Sequence, residues 1–386
     1  MHLTLAQLAI TGLLVALLPL SMVWMSADAH KYRKLVWVAV FLTFDLIMFG
    51  AFTRLTDSGL GCPDWPGCYG LANPFQAHDA IRAAEALLPS GPVTVLKAWI
   101  EMTHRYLAMA IGVLIVALAA QAWRQWRKSR RAEFSPGLPT ALLLFVCLQG
   151  AFGAWTVTMK LQPVIVTTHL LLGMGMLSLL VWLGARQDNA VTPLSGPTGP
   201  LPVMREIRLL AAGAAVLLLA QIALGGWVST NYATLACSDF PLCDGKLVPA
   251  MDFEHGFTLW RALGKTAAGH YLPFPALTAI HWLHRAFALV VFAGAGYAAL
   301  RARGQPALRK IAAGIALVLL LQAGSGIATI FLSRPLLIAV LHNGGAALLV
   351  LLLTMLNYRA KLLLGIARRA AASAASTHSS PVKHHQ

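Results

Sequence analysis

Long stretches of this chain consist almost entirely of apolar residues, and more polar segments separate these stretches. Crossing about 30 Å of hydrocarbon takes a helix of about 20 apolar residues. Nine stretches of roughly that length lie at residues 3–25, 35–54, 98–122, 138–159, 163–184, 207–230, 276–300, 308–331 and 335–357. The pattern therefore predicts an all-α integral membrane protein with nine transmembrane helices.

Polar motifs recur at matching places in the two halves of the chain. Gln149 and Gln322 each precede a histidine, His169 or His342, by the same number of residues. A His-Arg dipeptide also opens an earlier apolar stretch in each half, at His104-Arg105 and at His284-Arg285. A repeat that spans half of the chain predicts two homologous units.

We interpret the repeat as two pseudo-symmetric four-helix transmembrane bundles plus one additional N-terminal helix. The first stretch lacks the basic start of a signal peptide, so we expect it to be a retained helix. The predicted segments are 1–34 for the extra helix and a basic loop, 35–184 for the N-terminal bundle, 185–206 for a linker, 207–357 for the C-terminal bundle, and 358–386 for a disordered cytoplasmic tail.

Charge is sparse and its placement is asymmetric. Hydrophobic residues make up 58% of the chain and charged residues 11%, which excludes an ordinary soluble domain. The net charge of +16 comes from Lys and Arg clustered in every second connection. The positive-inside rule then predicts a cytoplasmic C-terminus and places the long connections 55–97 and 231–275 on the periplasmic side of an inner membrane. The charge orients the protein and indicates no nucleic-acid partner.

Four of the five cysteines lie in these two long connections, with the same spacing in each. They are Cys62, Cys68, Cys237 and Cys243. An oxidising compartment favours one disulfide in each loop. Spacing alone leaves two roles open, a structural staple and a redox-active pair.

Histidines inside the predicted spans are the main candidates for chemistry, because polar groups in a bilayer are costly and mark function. His104 and His169 lie at similar depth on spans that run in the same direction, and His284 and His342 repeat this arrangement. Two such histidines in a four-helix bundle can hold a haem from both faces. The adjacent arginines are placed toward the outer rim, where a guanidinium can pair with a haem propionate; these are Arg105 and Arg285.

The two halves differ beside the first of these histidines. Glu101 shares a helix face with His104, whereas the matching position in the second half is His281. A carboxylate there suits proton transfer, and the alternative is an ion-pair partner for Arg105. Either His281 or His284 could be the second-half ligand, and the register of the His-Arg dipeptide favours His284.

Several motifs resemble the haem A synthase family. They are Glu101-Met-Thr-His-Arg105, the segment Phe-Thr-Arg-Leu-Thr-Asp-Ser-Gly-Leu at 52–60 with the cysteine loop that follows it, and the paired Gln-His segments. The resemblance covers roughly residues 35–357, and the stretch 3–25 lies outside the family's core.

The resemblance implies an oxidoreductase that oxidises the C8 methyl group of haem O to a formyl, through two hydroxylations and loss of water, giving haem A for terminal oxidases. It implies that His104 and His169 meet haem O with Glu101 assisting, and that His284 and His342 ligate haem b. His281 is then a candidate for a residue that surrounds and orients the haem b ligands without binding the iron. The resemblance also implies a role in electron or haem handling for the first cysteine pair, beside the structural one.

Two other functions stay open at this point. One is a dihaem b-type cytochrome that only transfers electrons, and the other is a haem-binding assembly or transport protein. Neither gives Glu101 a role. Besides haem O and membrane lipid, the sequence leaves four partners open: a haem O synthase, an electron donor, an oxidase assembly partner and a second copy of the chain.

Overall fold

The computed structural model describes residues 2–194, 199–333 and 335–378, and within these ranges the chain consists of helices and loops. The α-helices are α1 (His2–Met25), α2 (Lys31–Leu55), α3 (His78–Leu87), α4 (Val95–Ser129), α5 (Gly137–Thr158), α6 (Pro163–Val191), α7 (Leu201–Thr230), α8 (Phe253–Gly256), α9 (Phe274–Arg303), α10 (Arg309–Phe331) and α11 (Leu336–His378). In this described part of the chain, nine helices are long and apolar enough to cross a membrane, all except α3 and α8. The prediction of an all-helical protein with nine spans is confirmed.

Each half of the chain closes into a ring of four helices. In the first half α2 packs against α4 and α6, and α5 packs against the same two helices. In the second half α7 packs against α9 and α11, and α10 packs against the same two. Each helix of the first ring therefore has a counterpart with equivalent neighbours in the second ring.

The two rings share one hydrophobic core. Helix α6 packs against α7 and α11, and α2 also contacts α11. Leu177 and Leu183 of α6 and Leu356 of α11 are fully buried in this core. The hydroxyls of Ser178 and Thr354 lie 2.9 Å apart across the same contact, so packing and a hydrogen bond both join the halves.

The extra helix α1 lies outside the first ring and packs against α4 and α2. The approach to α4 is close at Gly12, where a Cβ would come within 2.8 Å of the Met109 Cβ. The face that carries Leu18 and Met22 is exposed. A helix with one packed face and one exposed apolar face suits a position between the bundle and lipid.

The linker predicted at 185–206 is shorter in the structure, because α6 continues to Val191 and α7 begins at Leu201. Arg186 and Gln187 explain the longer α6, since their side chains donate to backbone carbonyls of the loop before α5 over 3.1 and 2.7 Å. Part of the connection between the two helices lies outside the described residues.

The C-terminal tail also differs from the prediction. Residues 358–386 were expected to be disordered, but α11 continues as a helix to His378. Leu363 and Ala367 are buried in this continuation, and its many alanines have high helix propensity. The part of the predicted tail beyond His378 lies outside the described residues.

Leu177→Ala tests the shared core. The substitution leaves a cavity, and we expect it to lower the free energy of unfolding by about 2 kcal/mol, the lower end of the range for a buried leucine because lipid replaces water as the surroundings. Leu144→Ala is the control, since Leu144 is 70% exposed on α5 and should change little. Reversible denaturation in mixed micelles measures both variants, and equal effects would contradict the assigned core.

Candidate functional site: two pairs of membrane histidines

Four histidines lie on opposite helices of the two rings. His104 is on α4 and His169 on α6, the two first-ring helices that both pack against α2 and α5. His284 on α9 and His342 on α11 occupy the equivalent helices of the second ring. Both helices of each pair pack against the same two neighbouring helices. Each ring of helices therefore brings two imidazoles together.

Each of these imidazoles lies edge-on against a glycine of the neighbouring helix. A Cβ built on that glycine would come within 3.0–3.4 Å of the imidazole Cε1 atom. The pairs are Gly50 with His104, Gly153 with His169, Gly225 with His284, and Gly326 with His342. Each glycine leaves the space that the ring edge occupies, and a larger side chain would fill that space. We call this contact a glycine seat, and all four histidines have one.

The repeated glutamines hold the backbone at the second histidine of each pair. Gln149 Nε2 donates to the His169 carbonyl over 3.1 Å, and Gln322 Nε2 donates to the His342 carbonyl over 2.9 Å. The constant Gln-His spacing in the sequence thus corresponds to a hydrogen bond between adjacent helices.

The Nδ1 atoms of the four imidazoles have different surroundings. Those of His104 and His169 are buried and have no hydrogen-bond partner among the described residues. In the second half Gln221 Nε2 lies 3.1 Å from the His284 Nδ1, and Ser325 Oγ lies 2.8 Å from the His342 Nδ1. Sequence analysis missed Gln221 and Ser325, and the signal for Ser325 was its position one turn from Gln322.

Glu101 is buried and connects α4 to the first cysteine loop. Its Oε2 accepts a hydrogen bond from the Cys62 backbone N–H over 2.7 Å, and its Oε1 pairs with the Arg105 guanidinium. Arg105 Nη1 in turn donates to the loop carbonyls of Asp64 and Gly67 over 3.0 and 2.6 Å. The first-half arginine is therefore satisfied by protein groups.

Arg285 makes the equivalent loop contacts but lacks the carboxylate. Its Nη2 donates to the carbonyls of Asp239 and Leu242 over 2.9 and 3.1 Å. Its Nη1 is buried and has no hydrogen-bond partner among the described residues. His281, which replaces Glu101 here, is also buried. The second half thus leaves one buried guanidinium nitrogen available to an incoming anion.

The two cysteine loops have the same construction. Disulfides join Cys62 to Cys68 and Cys237 to Cys243, so the predicted pairing is confirmed. In each loop an aspartate two residues after the first cysteine accepts hydrogen bonds from two backbone amides near the second. The Gly245 and Asp244 amides lower the pKa of the second-loop aspartate, Asp239. Sequence analysis missed these aspartates, although their matching positions were visible.

The segment at 52–60 connects the two halves. Arg54 Nη2 donates to the Ser229 carbonyl over 2.7 Å, and its Nη1 donates to the Tyr232 hydroxyl over 3.0 Å. The Tyr232 hydroxyl donates to Asp57 Oδ1 over 2.6 Å. The family-like motif of the first half therefore bonds directly to the start of the second outer loop.

Fold and site together define a polytopic, all-helical membrane protein with two facing pairs of histidines, an arrangement able to hold a planar metal complex between opposite helices. The model of the cytochrome oxidase assembly protein family matches residues 33–354. The chain belongs to this family, and the resemblance to the haem A synthases is confirmed.

Three relatives support the assignment. A protein from Shewanella oneidensis named heme A synthase is 36% identical over 330 residues, which cover 84% of this chain and 96% of that protein. Proteins of the same name from Methylobacterium radiotolerans and a Caulobacter species are each 31% identical. Their alignments cover 86% and 84% of this chain, and 89% and 95% of the relatives.

Thiol labelling tests the disulfides. Denaturation in an alkylating reagent without reductant should label one cysteine per chain, Cys147, which is free and exposed. After reduction all five cysteines should react. Peptide mass mapping identifies the labelled residues, and labelling at Cys62 or Cys237 without reductant would contradict the loop structure.

Proposed function

We propose that this protein is a haem A synthase, an oxidoreductase that oxidises the C8 methyl group of haem O to a formyl. The observation that carries this proposal is the buried carboxylate of Glu101, three residues before His104, where the equivalent position of the second half is His281. The family assignment and the names of the relatives support the same reaction.

The first half, residues 35–184, is the proposed substrate half. His104 and His169 would hold haem O between α4 and α6, each imidazole kept in place by its glycine seat. Glu101 would relay protons beside the methyl group, since a carboxylate within one turn of the site is suited to acid–base catalysis, while an oxidant from outside the chain would supply the oxygen atom of each hydroxylation. Two hydroxylations and loss of water then give the formyl group.

The second half, residues 207–357, is the proposed haem b half. His284 and His342 would hold the haem iron, and the Arg285 Nη1, which has no hydrogen-bond partner among the described residues, would bind a propionate. His284 lies in the same glycine seat as His104, which supports it over His281 as the ligand. A haem with two histidine ligands supplies one-electron transfer, and the protein's part is to hold and orient it.

The charge distribution supports an orientation in a bacterial inner membrane. We place both disulfide loops on the periplasmic side and the C-terminus in the cytoplasm, because the basic connections lie at the opposite ends of the helices. Haem O then meets its site at the periplasmic half of the bilayer. A haem O synthase, an electron donor, an oxidase assembly factor and a second copy of the chain are the candidate partners.

Glu101→Gln tests the proposed chemistry. We expect haem A formation to fall about 100-fold, because the amide cannot accept a proton, while haem b stays bound in the second half. Glu254→Gln in the exposed second loop is the control and should form haem A normally. Extraction and chromatography of the haems from cells supplied with haem O measures both. Wild-type protein that holds only haem B and unchanged haem O would instead support an electron-transfer cytochrome.

A glycine pair on α5 tests the first histidine site. Gly153→Val places methyl groups against the His169 ring, because a Cβ at residue 153 would already lie 3.2 Å from the ring Cε1, and we expect loss of haem O binding and of haem A. Gly150→Val lies one turn away, where a Cβ meets nothing within 4 Å, and should bind normally. Both should retain haem b. Equal haem A yields from the two variants would argue against His169 as a contact to the substrate.

A further inference from the structure

We infer that Ser325 is a positioning residue for His342, holding the imidazole in the tautomer and orientation that an axial ligand of the second-half haem requires. This inference rests on the proposed function, because it takes the second half to bind haem b. It adds a residue outside the histidine, arginine and glutamate set described above.

The hydrogen bonds of Ser325 define the tautomer. Its Oγ lies 3.1 Å from the Gln322 carbonyl and 2.8 Å from the His342 Nδ1. A serine hydroxyl has one proton to donate, and the carbonyl can only accept. With the hydroxyl donating to the Gln322 carbonyl, its lone pair accepts from a protonated Nδ1, and we take this arrangement as the one that the ligand role requires. A neutral imidazole with its proton on Nδ1 has a free lone pair on Nε2, which is the atom available for metal ligation.

One turn of α10 thus contacts His342 at three places. Gln322 donates to its backbone carbonyl over 2.9 Å, Ser325 contacts its Nδ1, and Gly326 seats its ring edge, with a Cβ position 3.4 Å from Cε1. The backbone, the ring plane and the ring proton are all fixed from the same neighbouring helix.

The first half keeps two of these three contacts. Gln149 and Gly153 of α5 make the equivalent backbone and edge contacts to His169. The position equivalent to Ser325 is Phe152, which cannot accept a hydrogen bond, and the His169 Nδ1 is buried without a partner among the described residues. Of the four imidazoles, only that of His342 has a hydroxyl of the described chain at Nδ1. The His284 Nδ1 lies 3.1 Å from the Gln221 side-chain amide, whose buried oxygen has no other partner among the described residues and would accept from an Nδ1–H if the amide were turned over.

The difference between Ser325 and Phe152 matches the proposed fates of the two haems, since haem b is retained and haem O is exchanged. An oxygen that accepts from the distal N–H of a ligating histidine fixes the ring and makes it a stronger donor, and its removal typically weakens metal binding roughly 10- to 100-fold. The half with Ser325 is built to keep its haem. The half with Phe152 omits the contact, as suits a substrate that must leave after it is oxidised.

Ser325→Ala is the test, with two companion variants. Ser325→Thr retains the hydroxyl, and Thr329→Ala removes a hydroxyl one turn away that bonds only to the Ser325 carbonyl. The purified proteins are compared by the rate at which haem b passes to excess apomyoglobin, by the haem b midpoint potential and by the low-spin spectrum.

We expect Ser325→Ala to lose haem b roughly 10- to 100-fold faster than wild type. Its midpoint potential should rise, since a less basic ligand stabilises ferric iron less. Ser325→Thr and Thr329→Ala should both resemble wild type. Rapid haem loss in all three variants would point to general disruption of α10 and overturn the inference.

Unchanged retention and potential in Ser325→Ala, with haem b present in wild type, would overturn the inference alone and leave the proposed function standing. Wild-type protein with no haem b at all would overturn both. Loss of haem A with intact haem b in Glu101→Gln would support the proposed function independently of Ser325.

Discussion

The contact between a glycine and the edge of an imidazole sets the geometry of both halves. Lipid provides no hydrophobic driving force between membrane helices, so their association depends on close packing and hydrogen bonds. Here four helix contacts include a histidine ring edge against a glycine: those of α2 with α4, α5 with α6, α7 with α9 and α10 with α11. The position of the imidazole and the separation of the helices are therefore one constraint, and neither can change without the other.

In the proposed function the same frame supports two different chemistries, because the differences lie next to the histidines and not in the glycine seats. In the first half Arg105 forms an ion pair with Glu101 and also donates a hydrogen bond to a carbonyl of the cysteine loop. In the second half the carboxylate is missing, and Arg285 keeps a buried nitrogen without a partner among the described residues. A propionate could complete the second arrangement but would have to compete with Glu101 in the first. In the proposed function, the exchange of Glu101 for His281 thus changes both the reactive group and the anchoring of the ligand.

Hydropathy and repetition made much of the fold predictable. The nine spans, the two disulfides and the selection of His104 and Glu101 followed from residues that are unusual in a bilayer or that recur at fixed spacing. The contacts of Arg105 did not, because a guanidinium binds carbonyls and propionates equally well and the sequence does not show which is nearer.

Other features were missed for different physical reasons. The glycine seats were invisible because glycine is common in membrane helices and its meaning here lies in a neighbouring helix. The helix beyond residue 357 was missed because its polar composition also suits disorder, whereas alanine propensity and burial of Leu363 sustain the helix.

The contact between Arg54, Asp57 and Tyr232 shows why the duplicated unit works as a single chain. By the repeat spacing that relates the two cysteine loops, Tyr232 is the counterpart of Asp57, and Ser229 is the counterpart of Arg54. Equivalent positions therefore meet across the junction of the halves. Two copies of the first half would bring Asp57 near a second Asp57, and the like charges would repel each other. With tyrosine and serine in the second copy, the hydroxyl bonds to Asp57 and the guanidinium stacks on the ring 4.2 Å from its centroid. The junction is thus complementary because the halves differ at these positions, and this difference helps to hold the two rings together.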